Sequence, residues 1–144
     1  EFKEQEIRDG MDIVLCAVNF DQKKLYYSGA KIPLYLIRDG KLIVYKGDRQ
    51  SIGNDTKDPD FRFKTQTIDI ESGDLIYTFS DGVPDQFVGP TGKKFLTKRL
   101  KSLLLEHHEL PLEVQKAKIA TAIEDWKGEH AQIDDMILMG VRIP

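Results

Sequence analysis

Two short acidic segments hold the residues best able to do chemistry in this chain. Ser80-Asp81-Gly82 closes the apolar run Leu75 to Ser80, and Asp134-Asp135 opens the apolar run Met136 to Met139. Each sets a carboxylate at the end of a segment with strand character, held by a rigid element yet facing a loop. Gly82 lets the backbone turn sharply beside Asp81 or approach a ligand closely. If the two runs are neighbours in one sheet, Asp81 and Asp134 or Asp135 converge. Converging carboxylates repel unless a cation lies between them, and hard cations such as magnesium or manganese take oxygen ligands. The same spacing fits two solvated strand ends, where aspartate is common.

The other candidates have plainer roles beside the chemical ones. Asp85 is placed to bind through water or to cap a helix or loop. Asp12 opens a strand and serves either the site or the strand. His130 precedes the acid pair and is a surface residue unless it turns toward the site. His107 and His108 sit at a helix end beside Glu106 and Glu109, where they suit the helix dipole. Lys93, Lys94, Lys98, Arg99 and Lys101 form a basic run that is a solvated helix face or an attractor of a phosphorylated partner. Trp126 is a core anchor, and Cys16, in an apolar run, is expected to be a buried, inert thiol. No convincing Ser-His-Asp or Cys-His arrangement is present, and Asp81 lacks the D-x-D pattern of aspartate-nucleophile phosphatases.

Composition narrows the classes. The 144 residues are 40% hydrophobic and 31% charged, as in an ordinary globular domain. A net charge of -3 argues against nucleic-acid binding. No run is long enough to span a bilayer, no signal-peptide pattern opens the chain, and the lone cysteine forms no internal disulfide. The cytoplasm is the expected compartment. Glu1-Phe2 is either native or a cloning remnant.

The elements that must position the acids follow from periodicity and turn signals. Asp9-Gly10 marks a turn. Asp12 to Phe20 and Leu25 to Ser28 read as a hairpin ended by Gly29-Ala30. Pro33 to Arg38 and Leu42 to Tyr45 flank Asp39-Gly40, a strong hairpin signal. Gly47 to Pro59 reads as a long polar loop. Phe61 to Ile70 reads as a strand whose alternation changes phase, as a bulge or a change of buried face would produce. Ser72-Gly73-Asp74 is a tight turn, after which Leu75 to Ser80 is expected to pair back on the preceding strand. Lys94 to Glu106 has helical spacing at Leu96, Leu100, Leu103 and Leu104. A second helix starts with Pro111 in its first turn, buries Leu112, Ile119, Ile123 and Trp126, and stops at Gly128. Met136 to Ile143 is the last strand. Strands, then two helices, then a strand give an antiparallel-rich α+β domain with helices covering a sheet.

Five segments in order carry a resemblance: D-G-M-D-I at Asp9 to Ile13, Y-S-G-A-x-x-P-L-Y-L-I-R-D-G at Tyr27 to Gly40, S-I-G at Ser51 to Gly53, G-D-x-I-Y-x-F-S-D-G at Gly73 to Gly82, and D-D-M at Asp134 to Met136. The chain resembles the metal-dependent protein phosphatases of the protein phosphatase 2C type. It looks closest to the bacterial branch named after stage II sporulation protein E and the stress-response serine phosphatases. D-Q-F-x-G-P-x-G-K-K-F at Asp85 to Phe95 and E-D-W-K-G-x-x-x-Q-x-D-D at Glu124 to Asp135 look like that branch too.

The resemblance implies that residues 1–144 are the second half of a β-sandwich domain, with the half carrying the D-C-T-G-H-G-like motif absent. It implies Asp81 and Asp134 as ligands of one metal, with Asp135 a supporting acid. Two manganese or magnesium ions are expected in the complete domain, where an activated water hydrolyses phosphoserine or phosphothreonine on a protein. The implied partners are a phosphorylated regulatory protein and the missing half. Lys31-Ile32 departs from relatives, which often carry small, His or Asn residues before Pro33. A non-catalytic half-domain that binds a partner or pairs with itself is the competing expectation, since an incomplete sandwich leaves edges and an apolar face uncovered.

Overall fold

The computed structural model describes residues 10–53, 58, 60–85, 95–132 and 134–144. In chain order the elements are β1 (Gly10–Met11), β2 (Ile13–Asn19), β3 (Lys24–Ala30), β4 (Leu34–Arg38), β5 (Lys41–Tyr45), β6 (Ile52–Gly53), β7 (Gln66–Asp69), β8 (Leu75–Phe79), α1 (Gly82–Asp85), α2 (Leu96–His107), α3 (Leu112–Lys127) and β9 (Leu138–Arg142). The strands form sheets ordered β2-β3-β7 and β5-β4-β8-β9, with a small β1-β6 pair, and every pairing is antiparallel. The fold is the α+β class expected.

Two cores make three layers. Leu25 and Tyr27 of β3 and Ile68 of β7 pack with Leu34 and Leu36 of β4 and Ile76 of β8, between the two larger sheets. Tyr35, Ile37, Tyr77 and Phe79 point the other way, onto Leu100 and Leu104 of α2 and Ile119 and Ile123 of α3. A strand buried on both faces reads as a continuous apolar run rather than an alternating one. That is why Leu34-Tyr35-Leu36-Ile37 is uniformly apolar and uniformly buried.

Local chemistry shapes the connections. Asp39 and Gly40 take φ values of 50° and 68°, as the two central residues of a tight hairpin turn require. Gly128 ends α3 at φ 58°, its amide returning to the Glu124 carbonyl at 2.9 Å. At the end of α2, the carbonyls of His108 and Leu110 accept from Gln115 Nε2 at 3.2 and 2.8 Å and from Arg142 at 2.9 and 3.0 Å. These side chains satisfy groups that a helix end leaves without partners.

Several sequence expectations change. Gly29-Ala30 continues β3, paired with Val14 and Ile13, because the strand needs that length to match β2. The Gly47 to Pro59 loop contains β6, and Gly10 lies in β1 rather than a turn. Phe61 to Thr65 is not strand; Phe61 and Phe63 pack on each other, ring centroids 5.1 Å apart, and β7 starts at Gln66. The change of phase is therefore a strand boundary, neither a bulge nor a change of buried face within one strand. β8 does not pair with β7: β7 adds to β3, whereas β8 lies between β4 and β9. Leu96 is exposed, and Pro111 precedes α3 rather than lying in its first turn. Cys16 is exposed, not buried. It lies on the inner face of β2, opposite Tyr27, but β2 is an edge strand. Asp9, Asn54, Asp55, Pro59, Lys93, Lys94, Ile133 and most of the Asp85 to Phe95 segment lie outside the described residues.

Candidate metal centre

The antiparallel pairing of β8 and β9 runs from Leu75↔Arg142 to Phe79↔Leu138. The C-terminal end of β8 therefore meets the N-terminal end of β9. An acid just after one strand and acids just before the other are brought to the same edge of the sheet. The ladder gains one more bond, from the Ser80 amide to the Ile137 carbonyl at 2.9 Å. Ser80 Oγ then donates to the Asp135 carbonyl at 2.8 Å and accepts from the Ile137 amide at 2.9 Å.

Gly82 completes the junction. It is buried, and a Cβ there would collide with the Asp135 carbonyl group. Only a residue without a side chain lets the two segments approach this closely. Asp81 precedes the single turn of α1, with its carbonyl accepting from the Asp85 amide at 2.9 Å. Asp134 is braced locally: its Oδ1 accepts from the Asp135 amide at 2.7 Å, and its carbonyl accepts from Gln132 Nε2 at 2.8 Å. Asp81, Asp134 and Asp135 are all exposed to solvent.

Carboxylates are acceptor-only oxygen donors, so this set suits a hard divalent cation. The described residues contain no group of three or more His, Cys, Asp or Glu side chains placed to hold a metal. The three acids by themselves do not make such a group.

Asp85 ends α1 beside Asp81, while the other sequence candidates make contacts of their own. Asp12 accepts from Ser51 Oγ at 2.5 Å and pairs with Lys31 at 3.5 Å, a structural role. His108 Nδ1 lies 2.6 Å from the Leu105 carbonyl, and His107 lies 4.0 Å from Glu106. His130 is exposed at the end of α3, its amide on the Lys127 carbonyl. Arg99 stacks over Trp126 and Phe95, at 4.2 and 5.6 Å, and Lys101 lies 5.3 Å over Tyr35. Those two cations are pinned to aromatic rings, while Lys98 is exposed. Trp126 packs edge-on against Phe95, as a core anchor does.

Three contributors went unread in the sequence: the Ser80 hydroxyl, the Gln132 brace and the buried acid Asp74. Asp74 takes a bidentate pair from Arg38, at 2.8 and 2.5 Å. That hydrogen bonding raises the Arg38 pKa further. Asp74 also accepts from the Glu71 amide, and its carbonyl accepts from Ile143. The pair anchors the start of β8 as the Ser80 contacts anchor its end. A cavity of about 600 Å³ opens between α3 and β9, with Val83 and Met136, the neighbours of Gly82 and Asp135, in its wall.

The family model of stage II sporulation protein E matches residues 3–144. The chain belongs to the stage II sporulation protein E family. No curated protein matches it. Among solved structures it is similar to the SiaA-PP2C domain of Pseudomonas aeruginosa, with 30% identity and a TM-score of 0.84, covering 92% of this chain and 52% of that one. It is similar in fold to the phosphatase domain of the cell fate determinant SpoIIE from Bacillus subtilis, presoaked with Mn, at 16% identity and TM-score 0.63, covering 99% and 60%. RsbX in complex with magnesium matches at 15% identity and TM-score 0.57, covering 91% and 55%. The chain thus spans about half the length of the solved structures it matches. Its sheets and covering helices are those of the PP2C-type phosphatase fold. Among the described residues no helix is long and apolar enough to cross a membrane.

Proposed function

We propose that these residues are the C-terminal half of a metal-dependent phosphoserine/phosphothreonine protein phosphatase domain, with Asp81 and Asp134 ligating one ion and Asp135 supporting them. The observation that carries this reading is the β8–β9 junction, which sets Asp81 beside the Asp134-Asp135 segment. Bound manganese or magnesium ions supply water activation and neutralise the charge of the phosphoryl group. The chain's own part is to fix the backbone that carries the carboxylates, through Ser80, Gly82 and Gln132, so that little reorganisation is needed when the ion arrives. The substrate is a phosphorylated regulatory protein, and the compartment is the cytoplasm.

The rest of the domain belongs on the two bare edges. Val18 opposes the core residue Leu25 on β2, and Val141 opposes the core residue Ile76 on β9, so both lie on inner sheet faces. Both are open to solvent, with Phe20 at 60%, Ile137 at 62% and Met139 at 59% exposure nearby. These strips also support a second reading, in which the half-domain by itself binds a partner or a second copy and hydrolyses nothing.

Calorimetric titration with manganese tests the site. The wild-type chain binds and the Asp81→Asn, Asp134→Asn double variant does not. Manganese binding by the wild type that the double variant keeps would remove these acids from the metal shell. With the D-C-T-G-H-G-like segment absent, the 144 residues alone release no phosphate from a phosphopeptide; metal-dependent release by them would refute the half-domain assignment.

A further inference from the structure

Ser80 stands between the two acidic segments, and all of its polar groups are in use. Its amide extends the β8–β9 ladder to Ile137, and its carbonyl accepts from the Val83 amide at 3.2 Å, closing the turn of α1. Its hydroxyl has one proton to give, which goes to the Asp135 carbonyl, and its oxygen takes the Ile137 amide. The regular pairing stops at Phe79↔Leu138 and the last ladder bond is the one to Ile137, so the segment from Asp134 to Met136 is not held by strand pairing. The hydroxyl bridges to that segment where the ladder has ended.

We propose that Ser80 is a positioning residue: its two side-chain hydrogen bonds set the separation of Asp81 from the Asp134-Asp135 segment, and through it the affinity of these acids for a divalent cation. This rests on the metal reading above. Gly82 sets how close the segments can come; Ser80 sets where along the strand axis they meet. An alanine keeps the approach and loses the alignment. A threonine keeps the hydroxyl and suits extended backbone.

The test is calorimetric manganese titration of the full-length protein as wild type, Ser80→Ala, Ser80→Thr and Asp81→Asn, with amide exchange at Ile137 followed without metal. Removing groups that orient metal ligands weakens binding by about tenfold to a hundredfold, which is the loss expected for S80A. S80T keeps wild-type affinity, the Ile137 amide exchanges faster in S80A, and the unfolding midpoint of S80A stays near that of wild type. Wild-type manganese affinity in S80A, with D81N impaired, overturns the role of Ser80 and leaves the metal reading standing. Wild-type affinity in D81N overturns both. Equal losses in S80A and S80T overturn the proposal by showing that side-chain shape, not the hydroxyl, matters. If S80A fails to fold, Ser80→Cys, a weak hydrogen-bonding group of similar shape, must bind manganese more weakly than wild type; equal binding overturns the proposal.

Discussion

Gly82 lies so close to Asp135 that a Cβ at position 82 would stand 2.9 Å from the Asp135 carbonyl carbon and 3.3 Å from that of Asp134. The obstructing atoms are backbone, which cannot swing aside as a side-chain tip can. Gly82→Ala must therefore push the two acidic segments apart. Overpacking of this kind costs about 1–3 kcal/mol, readable in urea unfolding. Manganese affinity is expected to fall by about tenfold or more, as when metal ligands lose their support. A Gly82→Ala chain that binds manganese as wild type does would show that the acids do not depend on this spacing.

Arg38→Ala removes the bidentate partner of Asp74, which is only 2% exposed. Its other hydrogen-bond donor is the Glu71 amide. Breaking a buried pair by deleting one member costs about 3–5 kcal/mol, because a charge is left without compensation. Chemical denaturation should show that loss. Because this pair sits at the far end of β8 from Asp81, manganese affinity per folded molecule should stay at the wild-type value.

Alkaline titration should single out Tyr27 and Tyr77. Burial is the main cause that pushes both phenols up to about 12. In the unfolded chain a phenol ionises near pH ~10. The folded state thus favours the neutral form of both residues. That contribution is complete below about pH 10 and is lost as the pH rises toward the folded value. Phenolate absorbance is expected to show these two tyrosines ionising only as the chain unfolds in base. Tyr77 also donates its hydroxyl proton to the buried Gln115 side chain. Tyr77→Phe leaves that amide oxygen unpaired, at about 1–3 kcal/mol in thermal or urea unfolding.

The apolar strips on β2 and β9 predict how the chain behaves by itself. Phe20 and Met139 are each more than half exposed and lie at strands that are sheet edges. Unpaired edges with apolar side chains are templates for association. Sedimentation should show concentration-dependent oligomers for the 144 residues. Phe20→Lys with Met139→Lys should shift them toward monomer. On the half-domain reading proposed above, joining the chain to the first half should do the same without substitution.

Much of the fold was legible in the sequence. Asp39-Gly40 marked a hairpin because few residues tolerate two successive positive φ angles. Gly128 marked a helix end for a related reason, and the spacing of Leu100, Leu104, Ile119 and Ile123 named the buried faces of α2 and α3. These are short-range signals, written within a turn or two of the residues that obey them. The strand-end acids were legible for the same reason, since Asp81 and Asp134 each follow or precede a continuous apolar run.

Partner choice was not legible. Nothing near Leu75 to Phe79 says that β8 passes over its neighbour in sequence, β7, to lie between β4 and β9. Cys16 and Val18 have the composition of a core strand, yet their burial depends on what covers an edge, not on their own run. By itself the sequence determined most of the longer elements, the apolar faces of the helices and the acids at the strand ends, because backbone propensity and hydrophobic periodicity act locally. The tertiary structure alone decided that Ser80 reaches Asp135 across 55 positions of chain and that Gly82 meets the same carbonyl. Strand register and close packing are settled by the whole core at once, and no local stretch of residues carries that information.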